Sequence, residues 1–245
     1  MTEYEVDVGN TYIKWRKRVS GKYLPSTRGG VEMLAKELSD CPADLVLVSC
    51  VAGEEIRRAL NNLFAELEVP TAYWAESSQE ACGVLNGYKE YTKLGVDRWL
   101  ACLAGFNKSG GSACCIIDFG SAITVDILDG EGRHLGGYIA PGSRLCFEAL
   151  GATGSLAGQY EYVSGGTLGL STKSCIESGV YMMQLGFLTQ VLEVVSGLKC
   201  FVTGGGSAQF SSVLDENSVE IFTDLVLDGL RLAYEDDVAV MGRGE

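Results

Sequence analysis

Apolar and polar side chains take turns in residues 4–8 and 11–19, and Val8-Gly9-Asn10-Thr11 separates the two runs. Period two marks a strand with one buried face, and a short polar break between two such runs marks a hairpin. A weaker strand is expected within GKYLPS (21–26). The period then changes. GGVEMLAKELSD (29–40) and GEEIRRALNNLFAEL (53–67) repeat apolar residues at helical spacing, while DLVLVSCV (44–51) between them is a continuous apolar run. Such a run predicts a strand buried on both faces. TAYWAE (71–76) returns as a strand. The second half repeats the order: strands in CCIIDFGS (114–121), AITVDILD (122–129) and HLGGYIAPG (134–142), helices near 143–151 and 174–196, then KCFVTGGGSA (199–208) as strand and glycine turn, EIFT as a strand and DLVLDGLRLAYED (224–236) as a closing helix. Between the halves, GVDRWLACLAGFN (95–107) has helical periodicity and KSGGSA (108–113) has the composition of a flexible linker. The expected fold class is α/β, with mixed β-sheets flanked by helices. The repeat predicts two domains of like topology, 1–108 and 109–245.

One local device occurs in both halves. Asp7-Val8-Gly9-Asn10 and Asp118-Phe119-Gly120-Ser121 each end a strand on a carboxylate and follow it with glycine and a small polar residue, about half a chain length apart. A turn of this kind can present backbone N–H groups, and glycine lets phosphate oxygens come close. Asn10, Thr11 and Ser121 add side-chain donors, and Asp7 and Asp118 can hold a metal ion or its bound water. Either stretch alone reads equally as a tight turn with a self-capping aspartate. The pair in matching contexts favours polyphosphate binding. There is no Gly-x-x-x-x-Gly-Lys-[Ser/Thr] and no Gly-x-Gly-x-x-Gly at a strand–helix junction, which disfavours P-loop and dinucleotide folds.

Composition narrows the partners. The chain has 47% hydrophobic and 21% charged residues and a formal net charge of −13, a field that repels nucleic acid and anionic membrane. No run approaches the length of a membrane span. The acidic N-terminus enters a strand at once, so no signal peptide is expected. The nine cysteines contain no Cys-x-x-Cys pair and read as reduced thiols of a cytoplasmic protein. The sole histidine, His134, follows a turn and is expected to be exposed; Trp15, Trp74 and Trp99 are expected in the core.

The stretches DVGNTYIKW, NGYKEYTKLGVDRW, DFGSAITVD with HLGGYIAPG, and TGGGSA resemble, in order and spacing, the motifs of the type III pantothenate kinases, within the acetate and sugar kinase, Hsp70 and actin superfamily. The resemblance runs from about residue 5 to about 235. It implies two tandem ribonuclease-H-like domains with an ATP cleft between them, and a homodimer whose active site is shared. It further implies Mg²⁺, a monovalent cation (K⁺ or NH₄⁺), and phosphorylation of pantothenate by ATP as the first step towards coenzyme A. By the resemblance, ATP contacts fall on Asp7, Val8, Gly9, Asn10, Thr11, Tyr12, Ile13, Lys14 and Ser121, and the monovalent cation on Asp118. Pantothenate falls against Tyr88, Gly95, Val96, Asp97 and Arg98, and against Thr172 of the other subunit. Asp97 matches the general base. Ser121 stands where the family usually has threonine, which keeps the hydroxyl and loses a methyl.

Each assignment has a plainer alternative from the residues alone. Asp97 can cap its helix. Arg98 can pair bidentately with a carboxylate substrate or with one of the protein's own acids. Lys14 can reach a phosphate or sit solvated on a strand's polar face. Tyr88 can wall a pocket or pack in a loop, and Ser171 or Thr172 can be an N-cap. Two rival functions share the scaffold: another small-molecule kinase, disfavoured by GVDRW, and an ATP-binding transcription accessory factor, disfavoured by the intact Asp7, Asp97 and Asp118.

Overall fold

The computed structural model describes residues 1–242 except Ser155, Ala157 and Ser218. Its first elements are β1 (Thr2–Val8), β2 (Ile13–Val19), β3 (Lys22–Tyr23), β4 (Thr27–Gly29), α1 (Val31–Asp40), β5 (Leu45–Cys50), α2 (Glu54–Glu66) and β6 (Ala72–Trp74). A small hairpin follows, β7 (Glu80–Ala81) and β8 (Val84–Leu85), and then α3 (Val96–Ser109). The later elements are β9 (Cys114–Phe119), β10 (Ala122–Leu128), β11 (His134–Pro141), α4 (Ser143–Gly151), α5 (Thr172–Val194), β12 (Lys199–Thr203), α6 (Ser211–Glu216), β13 (Glu220–Ile221) and α7 (Leu225–Met241). The chain divides into two compact units. The first holds Met1–Ser112, Leu128–His134 and the chain from Asp224 on; the second holds Ala113–Ile127 and Leu135–Thr223.

In the first unit the strand order is β3-β2-β1-β5-β6, with β4 also on β2. β1 runs antiparallel to β2 and parallel to β5, and β5 runs parallel to β6. The alternation of β1 explains its two faces. Tyr4, Val6 and Val8 are buried in one core with Trp15, Leu34, Leu38, Leu60 and Phe64, which joins the sheet to α1 and α2. Glu3 and Glu5 point the other way and are also buried, at 8% and 1% exposure. There α7 supplies Arg231, whose Nε donates to Glu5 at 2.7 Å and whose Nη2 donates to Glu3 at 3.0 Å. Arg16 on β2 joins Glu5 to Asp228 of α7, at 2.5 and 2.7 Å. The polar face of this hairpin is thus an internal ion network. α7 crosses α3 so closely that a Cβ on Gly229 would fall into the Leu100 carbonyl.

In the second unit the order is β11-β10-β9-β12-β13, with β12 parallel to both β9 and β13. The strand path repeats that of the first sheet. Its core gathers Ile117, Phe119, Val125, Tyr181, Leu188, Val202 and Phe210. Both units are mixed sheets flanked by helices, the expected fold class.

Several local expectations change. KSGGSA is a hydrogen-bonded helix end: α3 runs through Ser109, Gly110 takes φ +70°, and the Ser109 Oγ donates to the Phe106 and Ser112 carbonyls at 2.7 Å. Glycine and serine serve a helix C-cap as readily as a linker. β7 and β8 meet in a turn with positive φ at Cys82 and Gly83, the backbone of a tight hairpin. The glycine turn after β12 is a 3-10 helix over Gly205–Phe210. His134 is buried. Trp15 and Trp99 are core residues and Trp74 is half-buried. All nine cysteines are free thiols, four of them buried. No helix among the described residues is long and apolar enough to cross a membrane.

Candidate active site

The first turn is the end of the β1–β2 hairpin. Val8 pairs with Ile13, and the Gly9 N–H donates to the Tyr12 carbonyl at 3.2 Å. Asn10, Thr11 and Tyr12 are therefore pushed out, and all three are exposed. They border a cavity of about 320 Å³ whose wall also contains Gly29, Gly30 and Gly53. These glycines carry no motif of their own, and sequence reading passes over them; four of the wall residues, Gly9 included, expose backbone in place of side chain.

Asp7 lies opposite Lys14 in the hairpin register. The Ser49 Oγ donates to its Oδ1 at 3.0 Å. Burial, and next the Asp97 carboxylate, push the Asp7 pKa up to about 7, against the opposing pull of Ser49 and Lys14. Two carboxylates thus share one region of the first unit. Lys14 is not solvated: it is buried, and its Nζ lies 2.6 Å from Oδ1 of Asp224, immediately before α7. Burial works the other way, but this ammonium holds Asp224 below the usual carboxylate range.

Asp97 is the second residue of α3, and Gly95 takes the N-cap position with no side-chain cap. Asp97 is therefore not the cap. Its Oδ1 accepts from the Arg98 N–H at 2.8 Å, and a Cβ on Gly95 would come within 2.6 Å of the same oxygen. The helix N-terminus favours a carboxylate here, and the missing side chain leaves it room. Val96 and Arg98 are buried on α3. The Arg98 Nη1 donates to the Tyr88 Oη at 2.8 Å. Tyr88, half-buried, is fixed at its backbone by Asn86, whose Oδ1 accepts from the Tyr88 N–H at 3.0 Å.

In the second unit Asp118 stands near the end of β9, opposite Thr203 in the β12 register, and is half-buried. Gly204 follows with φ +87°; a Cβ there would overlap the Asp118 Oδ1 and the Phe119 carbonyl. TGGGSA is thereby seated directly on the second Asp-x-Gly device. Ser121 is gripped through its backbone: its carbonyl accepts from Gly142 N–H at 3.1 Å, and a Cβ on Gly142 would meet the Ser121 and Gly120 carbonyls at 2.5 and 2.8 Å. Thr172 is exposed on the first turn of α5. Ser171 is the N-cap, in a reciprocal box with Ser174, so the Thr172 side chain is not spent on capping.

The sequence profile of the type III pantothenate kinases matches residues 5–194. A type III pantothenate kinase of Hahella chejuensis is 36% identical over 237 residues, covering 95% of this chain and 97% of that protein. The chain belongs to the type III pantothenate kinase family. Solved structures place that family's fold more broadly. A Campylobacter jejuni protein named for the Baf family of transcriptional activators superposes with a TM-score of 0.62 at 18% identity, over 96% of this chain and 99% of that one. MreB 5 of Spiroplasma citri, bound to AMPPNP, gives 0.51 at 12% identity over 100% and 99%. These likenesses concern the fold alone. Within the family frame, Gly29, Gly30, Gly53, Ser49 and Asp224 surround the predicted residues without having been singled out in sequence.

Proposed function

We propose that this protein transfers the terminal phosphoryl group of ATP to the primary hydroxyl of pantothenate, the entry step to coenzyme A, in the cytoplasm. The observation that carries the reading is the start of α3. There Asp97, beside Asp7 and at a helix N-terminus, sits one residue from the buried Arg98, which is bonded to Tyr88. Phosphoryl transfer needs positioning, charge neutralisation and a carboxylate that accepts the hydroxyl proton. Asp97 is that carboxylate. Arg98 and Tyr88, with Gly95 and Val96, form the wall for a small acid bearing a hydroxyl, and Arg98 matches the substrate carboxylate in charge and geometry. The stretch Asp7 to Lys14 and Ser121 hold ATP phosphates through backbone N–H groups, hydroxyls and the Lys14 ammonium.

Mg²⁺ bound with ATP neutralises phosphate charge. Asp7 is a carboxylate that suits it, since a cation would offset the burial, and next the Asp97 charge, that together raise its pKa. A monovalent cation, K⁺ or NH₄⁺, would be held by Asp118, a half-buried carboxylate near the end of β9 whose charge it would offset.

The protein acts as a homodimer in which Thr172 reaches the partner's substrate. Support comes from α5: Gly179 and Gly186, two turns apart, have nothing within 4 Å of a Cβ position, and Met182 and Met183 between them are exposed. Such a face accepts a second helix closely. The test is a coupled ADP-release assay with pantothenate, amino sugars and acetate. Turnover with pantothenate alone is expected; turnover only with a sugar or acetate, or none at all, overturns the reading.

A further inference from the structure

Tyr88 is held by more than its own loop. The segment Leu128–His134, which joins β10 to β11, belongs to the first unit. There it lies against the loop that carries Tyr88. The Leu85 N–H donates to the Gly132 carbonyl at 2.9 Å, and Leu85 pairs in parallel with Arg133. Two glycines make this approach possible. A Cβ on Gly132, where φ is +78°, would fall into the Gly83 carbonyl, and a Cβ on Gly87 would fall into the His134 carbonyl. Backbone thus meets backbone at both ends of the loop, with no room for a side chain at either contact.

The docked segment is itself fixed. The Asp129 Oδ1 accepts from the Glu131 and Arg133 N–H groups, each at 2.9 Å, and the Asp129 N–H donates to the Arg133 carbonyl at 3.0 Å. An aspartate that closes its own turn in this way removes most of the turn's freedom. The segment ends on His134, buried at 3% exposure, whose ring lies 5.9 Å from the Tyr88 ring at 31°. Arg98 bonds the hydroxyl end of the same tyrosine. The ring of Tyr88 therefore has a contact from α3 and one from the end of the β10–β11 turn.

We infer that the Asp129–His134 turn is a positioning element for the acceptor substrate: His134 and Gly132 set the place of Tyr88 and, through it, the pantothenate subsite. The inference rests on the reading of Tyr88 as a substrate contact. A displaced aromatic wall weakens binding of the acceptor without touching the phosphate turns, so the signature is a split in the kinetic constants.

The experiment measures steady-state kinetics for His134→Leu, Gly132→Ala, Tyr88→Ala and the double variant His134→Leu/Tyr88→Ala, each checked by thermal unfolding. Gly132→Ala serves if His134→Leu does not fold. The expected result is a KM for pantothenate raised about fivefold to tenfold in His134→Leu, the scale of one aromatic contact, and raised in the same direction in Gly132→Ala. kcat and the KM for ATP stay within about twofold. In the Tyr88→Ala background, His134→Leu adds nothing further, which a general loss of stability would not reproduce. If Tyr88→Ala raises the KM for pantothenate while neither turn variant does, the positioning role is wrong and the substrate reading stands. If the turn variants lower kcat and raise both KM values together, the turn is only structural. If Tyr88→Ala itself leaves the KM unchanged, the reading of Tyr88 fails and the inference falls with it.

Discussion

Two carboxylates in one region are costly, and at the residue scale this cost is measurable. The folded pKa of Asp7 lies near 7, above the ordinary carboxylate value, because burial and Asp97 both oppose its charge. Between about pH 4 and 7 the folded state therefore binds more protons than the unfolded one, and stability falls as pH rises through that window. Asp7→Asn keeps an acceptor for Ser49 and removes the penalty. The variant is expected to be more stable than wild type at pH 8 by about 1 to 3 kcal/mol in urea melts without ligand, with the difference gone near pH 4. Equal melts at pH 8 would show that Asp7 carries no such burden. Asp97→Asn should leave ATP binding intact and lower kcat by a factor on the order of 10² to 10⁴, as expected of a lost base. Near-normal turnover would return Asp97 to a helix-terminal role. Asp7, Asp97 and Ser121 can be singled out as candidates because a strand end, a glycine or a helix start sits beside them in sequence. Ser49, Asp224 and His134 were not. Each acts through a partner tens to hundreds of residues away, and a lone serine, aspartate or histidine carries no local trace of that partner. For His134 the local signal misled: a turn precedes it, and that turn docks through its buried Gly132 on another loop.

At the scale of elements, the long runs declare themselves and the short ones do not. β5 and β9 are read from continuous apolar stretches, and α5 from its length. β7 and β8 have two residues each, too few for any period, and their only signature is Cys82-Gly83. Helical periodicity announces that α7 buries a face but not what it buries it against. The answer is α3, by way of Gly229. Gly229→Ala places a Cβ in the Leu100 carbonyl and must part the two helices. A loss of about 1 to 3 kcal/mol is expected, although alanine is the better helix former by roughly 1 kcal/mol. Urea unfolding at fixed pH measures it, and a stabilised variant would show that the helices can slide at no cost.

For the whole molecule, the shared-site dimer has a direct test. Asp97→Asn and Thr172→Val are each expected to be nearly inactive. Unfolded and refolded together in equal amounts, they should recover about a quarter of wild-type activity, because half the dimers then carry one intact site. No recovery, with subunit exchange verified, means that Thr172 serves its own chain or none. The return of the last helix has a further consequence, for synthesis. The ribosome releases the chain from its N-terminus, and units ordinarily fold in the order they emerge. Here the unit that begins first cannot be closed first. Until α7 leaves the exit tunnel, Glu3 and Glu5 have no Arg231, and Lys14 has no Asp224. The second unit, its segments all emerged by Thr223, is free to fold while the N-terminal sheet waits with two acids uncovered. A nascent chain stalled with Thr223 just outside the tunnel should therefore protect its later half from protease and leave its earlier half open, the reverse of the usual vectorial order.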